Sequence, residues 1–174
     1  MSDPAPPKRL LLLRHSKSEH TFGVDDYSRQ LTERGWRDGT EIGSWLAKQK
    51  IMADLVLCST STRTRQTWEA AVGGGARAAR LTLRKELYQG GISGVLDAVQ
   101  TEGGDYATII VVGHSPSMPM LASRLADGAG SPDALARLDQ GFPTSGLAVL
   151  TYAGEWADIG PGTASLADFV VGRG

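Results

Sequence analysis

Three apolar segments, each followed by polar residues, dominate the hydrophobic pattern of the chain. They cover residues 10–13, 55–57 and 107–112. Short continuous apolar runs are typical of strands that are buried on both faces, as in parallel sheets. The pattern therefore predicts three parallel strands in one sheet.

Residues 32–48 show a different period. Small or apolar side chains recur there every three or four positions, at Gly35, Gly39, Ile42, Gly43 and Leu46. This spacing predicts a helix that packs against the sheet, with Thr32 as its N-cap. Further helices are predicted after the hydroxyl-rich residues 59–61, over 92–100 and 117–126, and from Ser131-Pro132 onward. A strand and turn are expected over 82–88, and a flexible loop at the glycines 73–75.

The last third of the chain predicts an antiparallel addition to the sheet. Residues 146–152 and 155–159 are predicted to form two strands, and Ala153-Gly154 between them is typical of a tight hairpin. The predicted fold class is α/β: a three-layer α/β/α sandwich around a mostly parallel, mixed sheet with an antiparallel edge.

Composition is consistent with one domain. The chain has 174 residues, of which 41% are hydrophobic, so it is long enough for one sizeable core. We expect a single domain over residues 8–174 after a disordered, proline-containing tail at 1–7.

The net charge of −1 gives no electrostatic reason to expect nucleic acid or an anionic membrane as a partner. No apolar run approaches the length of a membrane helix or a secretory signal, so a cytoplasmic protein is expected.

Candidate catalytic residues follow each of the three apolar runs. Arg14 and His15 come directly after the first, Arg63 lies in the first turn of the helix after the second, and Gly113-His114 follows the third. Ligands of open α/β sheets bind at the carboxyl ends of the strands. A cation is disfavoured at a helix N-terminus, so Arg63 there indicates an anionic ligand. Two arginines and two histidines at one sheet edge predict a phosphate site.

These segments resemble the three signatures of the histidine phosphatase superfamily, whose fold is phosphoglycerate mutase-like. The similarity is greatest to the SixA-like phosphohistidine phosphatase branch and extends from about Arg9 to about Leu125. It rests on residues 14–18, 26–35, 59–67, 86–88 and 112–114. The chain departs from the family pattern at Ser16, where glycine is usual, and at Gln30, where proline is common.

The resemblance implies nucleophilic catalysis by His15 through a covalent phosphohistidine, which water then hydrolyses. Arg14, Arg63 and His114 are expected to bind the phosphoryl group, and Ser16 and Ser115 to add donors. Neither a metal nor another cofactor is expected, because the arginines supply the positive charge and the single cysteine, Cys58, makes a cysteine-based metal site improbable. Glu86 is the first candidate for the acid that protonates the leaving atom, and Asp26 and Glu19 are the alternatives.

Three functions remain open from the sequence. The first is a phosphatase acting on phosphohistidine in proteins, the second a phosphomonoesterase acting on small phosphorylated metabolites, and the third a non-enzymatic phosphate-binding module. Glu86 and His114 are 28 positions apart, which leaves no room for a helical lid between them. We therefore expect an open site, which suits a phosphorylated protein, with His20, Phe22 and Tyr27 as candidates to line it.

Overall fold

A mixed six-stranded sheet forms the centre of the protein. The computed structural model describes residue 3 and residues 6–174. Its strands are β1 (Lys8–Arg14), β2 (Leu55–Ser59), β3 (Leu81–Arg84), β4 (Thr108–Gly113), β5 (Gly146–Tyr152) and β6 (Ser165–Val171), in the order β3-β2-β4-β1-β5-β6. The first four run parallel, and β5 and β6 are antiparallel additions. The predicted parallel strands and antiparallel edge are confirmed.

Helices cover both faces of this sheet. They are α1 (Glu33–Lys48), α2 (Thr62–Gly74), the single-turn α3 (Glu86–Gln89), α4 (Gly91–Glu102), α5 (Ser117–Leu125) and α6 (Pro132–Asp139). Alternate residues of each central strand face opposite layers, as pleating requires. Leu10 and Leu12 belong to a core cluster with helices α4 and α5, whereas Leu11 and Leu13 pack with α1 and α2. The protein is therefore the expected three-layer α/β/α sandwich.

Strand register brings the three polar strand ends together. Arg14 pairs with Gly113 across β1 and β4, and Cys58 pairs with Val112 across β2 and β4. Because these strands are parallel neighbours, the residues that follow them emerge at one edge of the sheet. His15, the Ser59–Ser61 segment and His114 are placed side by side by this register.

Helix α1 is held close to its neighbours by glycine. Thr32 caps it as predicted, with its Oγ1 accepting a hydrogen bond from the Gly35 amide at 2.9 Å. A Cβ on Gly35 would lie 2.1 Å from the carbonyl oxygen of Lys17, and one on Gly43 would lie 1.8 Å from that of Ala71. Helix α1 therefore packs against α2 and against the segment after His15 at distances that a side chain would prevent.

Two sequence-based expectations about local structure were wrong. Residues 155–159 do not form a strand: Trp156–Asp158 is a 3₁₀ helix whose buried tryptophan donates a hydrogen bond to the Tyr106 carbonyl, and β6 is the antiparallel partner of β5 instead. Burial of this indole against Gly103 outweighs the strand pattern. Gly73 and Gly74 are not a loop but the last turn of α2, and Gly75 ends that helix at a φ of 119°.

At the N-terminus, β1 begins at Lys8. Four residues of the predicted disordered tail, at positions 1, 2, 4 and 5, lie outside the described residues. Within residue 3 and residues 6–174, the structure contains no helix that is both long and apolar enough to span a membrane.

Candidate active site

The four predicted phosphate-site residues line one cavity of about 440 Å³ at the carboxyl edge of the sheet. His15 and His114 are buried, with ring centroids 5.5 Å apart. The cavity is also lined by other residues, most of them from the segment between β1 and α1: Lys17, Ser18, His20, Asp26, Arg29, Ser115 and Thr144. The structure thus brings Arg14, His15, Arg63, His114 and Ser115 together as the sequence predicted.

The ring orientation of His15 defines which of its nitrogens is basic. Its Nδ1 lies 2.8 Å from the carbonyl oxygen of Ser16. A carbonyl can only accept, so Nδ1 carries the proton and Nε2 carries the lone pair. Burial, assisted by Arg63, His114 and Arg14, lowers the pKa of His15 to about 3. The imidazole is therefore neutral at pH 7, with Nε2 unprotonated and available as a nucleophile.

Among the residues that the structure describes, three nitrogens of cavity-lining side chains have no hydrogen-bond partner. Each is buried: Nε of Arg14, Nε of Arg63 and Nδ1 of His114. Unpaired buried polar atoms are uncommon and call for an explanation such as an absent ligand. Because all three belong to residues that line the same cavity, a tetrahedral oxyanion bound there would supply their missing acceptors.

Each arginine is held in place by contacts to its outer nitrogens. Arg14 donates from Nη1 to the carbonyl oxygen of Phe142 at 2.9 Å. Arg63 donates to the backbone oxygen of Asp26 at 2.7 Å and to its carboxylate at 3.1 Å. These contacts fix both guanidinium groups before any ligand binds, which reduces the entropy lost on binding.

Asp26 is bound by several donors at once. Its carboxylate accepts from Arg63, from Arg29 at 3.0 Å and from the Tyr88 hydroxyl at 2.7 Å. The Tyr88 hydrogen bond, with Arg29 and Arg63 beside it, holds the pKa of Asp26 well below its usual range. Asp26 is therefore an ionised group that orients Arg63, and it holds no proton to donate at neutral pH.

The sequence-based expectation for Glu86 was wrong. This side chain is exposed and lines a separate depression with residues of α4, outside the cavity that holds His15. Glu86 opens the short helix α3, and Tyr88 in the same turn is the side chain that reaches the site, where its hydroxyl donates to Asp26. The Tyr88 ring lies 5.5 Å from that of His114 and 5.2 Å from that of Tyr27. The segment therefore places the aromatic ring of Tyr88 beside His114, where the sequence suggested an acid.

Ser16 likewise does not face the cavity. It is fully buried, its hydroxyl lies 2.5 Å from the hydroxyl of Ser145, and its amide donates to Thr67 Oγ1 at 2.9 Å. The expected phosphate contact is replaced by a packing role, because the chain turns directly after His15 and directs this Cβ toward α1 and α2. Ser115 does line the cavity and is exposed.

The sequence analysis did not identify several residues of the site. Ser59 was noted only as one of the hydroxyl-rich residues before a predicted helix, yet its hydroxyl contacts His114 Nε2 at 2.9 Å. Lys17 and Arg29 add positive charge to the cavity wall. Lys17 is only two positions from His15 and could have been inferred from the sequence, whereas no sequence signal marks Arg29. Nothing in the sequence pairs Ser59 with His114, since 55 positions separate them.

Comparisons with known proteins agree with this geometry. The chain is 40% identical over 163 residues to an uncharacterized protein of Mycobacterium tuberculosis, which covers 92% of this chain and all of that one. A solved structure from Nakamurella multipartitia, provisionally named phosphohistidine phosphatase SixA, superposes with a TM-score of 0.80 at 34% identity and covers 97% of this chain and 98% of the other. An Agrobacterium tumefaciens protein provisionally given the same name has a TM-score of 0.74 at 30% identity, over 94% and 98% of the two chains. No protein-family model matches the chain.

The fold and the site define a phosphatase of the histidine phosphatase class, with the phosphoglycerate mutase-like fold. Within that superfamily, the chain belongs to the SixA-like branch.

Proposed function

We propose that this phosphatase removes the phosphoryl group from phosphohistidine in proteins, with His15 as the nucleophile. The observation that carries the proposal is the arrangement around His15. Its Nε2 bears a lone pair, because Nδ1 donates to the Ser16 carbonyl. Three side chains that line the same cavity each have a buried nitrogen without a hydrogen-bond partner among the described residues. A nucleophile beside groups that can bind an oxyanion is what phosphoryl transfer requires.

The proposed reaction has two steps. The substrate imidazole carries a proton on the ring nitrogen that is not bonded to phosphorus. His15 Nε2 attacks phosphorus, the bond from phosphorus to the substrate nitrogen breaks, and the imidazole departs as a neutral group with the electron pair of that bond. Water then attacks the phosphorus on His15, and the P–N bond breaks to release inorganic phosphate and free His15. Charge spreads over the equatorial oxygens in both transition states, and Arg14, Arg63 and His114 stabilise it.

The carboxylates around the site favour a phosphohistidine substrate. Asp26 is ionised and engaged with Arg63, and Glu86 lies outside the cavity. An ester oxygen leaves as an alkoxide unless an acid protonates it, whereas a protonated imidazole is a good leaving group by itself. Hydrolysis of a phosphorylated imidazole thus needs less from the enzyme than hydrolysis of an alkyl ester.

The surroundings of the cavity favour a protein as the carrier of that phosphohistidine. Only α3, α4 and β4 lie between Glu86 and His114, so no helix from this interval covers the site. Phe22, in the segment beside the cavity, is fully exposed, and Tyr27 is 41% exposed. The names given to the Nakamurella and Agrobacterium proteins point to the same substrate class.

Parallel turnover of a phosphohistidine protein and a panel of phosphate monoesters tests the proposed substrate. We expect kcat/KM to favour the phosphohistidine protein, because this ratio measures discrimination between substrates. A clear preference for sugar or nucleotide phosphates would instead identify a phosphomonoesterase, and no turnover of either class would identify a phosphate-binding module.

The nucleophile is tested by trapping with ³²P-labelled phosphohistidine protein followed by rapid denaturation at alkaline pH, where phosphohistidine survives. We expect label on the wild-type enzyme and on His20→Asn, but none on His15→Asn, whose activity should fall about 10³-fold or more. His20 is a matched control because it lines the same cavity. Activity of His15→Asn within about threefold of wild type would exclude the covalent role.

A further inference from the structure

The imidazole of His114 lies between the phosphate cavity and a group of hydroxyls. Its Nε2 is 2.9 Å from Ser59 Oγ and 3.5 Å from Ser61 Oγ. Its Nδ1 is buried and has no partner within residue 3 and residues 6–174. Ser59 and Ser61 are both fully buried. One nitrogen of the ring is therefore bound to the protein, and the other is left for a ligand.

The hydroxyl protons can be assigned from the acceptors within reach. Thr64 Oγ1 donates to a backbone carbonyl, that of Ser59 at 2.9 Å or that of Ser61 at 3.0 Å. Thr64 Oγ1 must then accept in its 2.7 Å contact with Ser61 Oγ, which uses the Ser61 proton. Ser61 therefore has no proton to give to His114.

The hydroxyl of Ser59 has a different hydrogen-bond acceptor. Its oxygen accepts from the Ser61 amide at 3.4 Å, and within the described part of the chain His114 Nε2 is the acceptor that its hydroxyl reaches. A buried hydroxyl without an acceptor is costly, so Ser59 donates to Nε2. A nitrogen that accepts cannot carry a proton, and the proton of the neutral ring is then on Nδ1.

We propose that Ser59 is a positioning residue that holds His114 in the Nδ1–H tautomer, so that the ring presents a donor to the phosphoryl group. Without this hydroxyl, neutral imidazole favours the Nε2–H form, and Nδ1 would direct a lone pair at the phosphate oxygens. The hydrogen bond at Nε2 thereby determines whether Nδ1 donates or accepts a hydrogen bond. The consequence for turnover rests on the proposed function, whereas the tautomer itself does not.

Nitrogen NMR of histidine-labelled protein tests the tautomer without any substrate. At pH 7, with the His114 resonances assigned through a His114→Gln variant, we expect Nδ1 to show the shift of a protonated nitrogen and Nε2 that of an unprotonated one. Ser59→Ala should move the ring toward the Nε2–H form, and Ser59→Cys, which keeps a weaker donor, should lie between the two. Ser61→Ala is the matched control and should leave the tautomer unchanged.

Vanadate binding and turnover test the consequence. We expect Ser59→Ala to weaken vanadate binding and to lower kcat by about tenfold or more, because a donor to the transition state is lost, while thermal unfolding confirms that the variant is folded. An Nε2–H tautomer in the wild-type protein would overturn the proposal, as would an unchanged tautomer in both Ser59 variants. A shifted tautomer with unchanged vanadate affinity would overturn the role in phosphate binding. If the enzyme does not hydrolyse a phosphohistidine protein, the proposed function is contradicted, but the tautomer measured by NMR is unaffected. The two proposals can therefore be distinguished.

Discussion

The hydroxyl of Ser16 stabilises the turn after His15 rather than binding phosphate. It pairs with Ser145, a residue in the left-handed conformation at a φ of 61°, whose amide donates to the His15 carbonyl at 3.1 Å. Left-handed backbone is unfavourable for residues other than glycine, so neighbouring bonds must hold it. The Ser16–Ser145 pair is one of those bonds.

Replacing Ser16 by alanine should therefore lower stability and leave phosphate binding intact. The buried hydroxyl of Ser145 would lose its partner, which costs about 1–3 kcal/mol. Urea unfolding measures the first effect, and vanadate inhibition measures the second. Ser115→Ala is the control, because Ser115 is exposed and its loss should not change the free energy of unfolding. A weaker vanadate affinity in Ser16→Ala would show that Ser16 does contact the ligand.

Among the structural elements, the segment between β1 and α1 forms one wall of the cavity. Arg29 holds it together by donating to the carbonyl of Glu19 at 2.8 Å, to the hydroxyl of Ser18 at 2.6 Å and to the carboxylate of Asp26 at 3.0 Å. The side chain of Phe22 takes no part in this packing and is fully exposed. An exposed aromatic residue beside an active site is suited to contact a protein partner.

We expect Phe22→Ala to reduce kcat/KM for a phosphohistidine protein by about fivefold to tenfold, as loss of an aromatic interface contact does. Turnover of a small phosphate ester should not change, since Phe22 does not line the cavity. Met52→Ala is a matched control: Met52 is 52% exposed but precedes β2, at the opposite edge of the sheet. Equal losses on both substrates, or the same effect from Met52→Ala, would contradict a docking role for Phe22.

The whole molecule carries two buried histidines whose protonation is linked to folding. Burial lowers the pKa of His15 to about 3 and that of His114 to about 4, whereas an unfolded histidine titrates near 6.5. Between these values the unfolded chain binds more protons than the folded one. Stability therefore rises with pH in this window and is lost as the pH falls below about 6.5.

Urea unfolding at pH 7 and pH 5 measures this linkage. We expect each of the two histidines to contribute about 1–2 kcal/mol to the stability lost between these pH values. The doubly substituted His15→Asn, His114→Asn protein should lose correspondingly less. This window lies above the range in which carboxylates such as Asp26 titrate. An equal loss in wild type and double variant would mean that the folded-state pKa values of these histidines are near 6.5.

Sequence patterning alone determined the parallel strands of the sheet, the strand β5 and the four side chains that meet at the sheet edge. Buried strands need continuous apolar runs, and the residues at their carboxyl ends must meet, so His15, Arg14, Arg63 and His114 could be predicted together. Helix α1 could also be predicted, because its N-cap and its 3.6-residue period are local properties of the sequence. The residue types and their order were enough to predict these strands, this helix and the four side chains.

Tertiary structure decided the contacts that join distant positions. Tyr88 hydrogen-bonds to Asp26, Asp26 orients Arg63, and Ser59 bonds to His114, each across 37 or more positions. Such pairings depend on the direction in which a side chain leaves a turn, which no local spacing encodes. The 3₁₀ helix at Trp156 has the same origin, because burial of one large indole overrode a local strand preference.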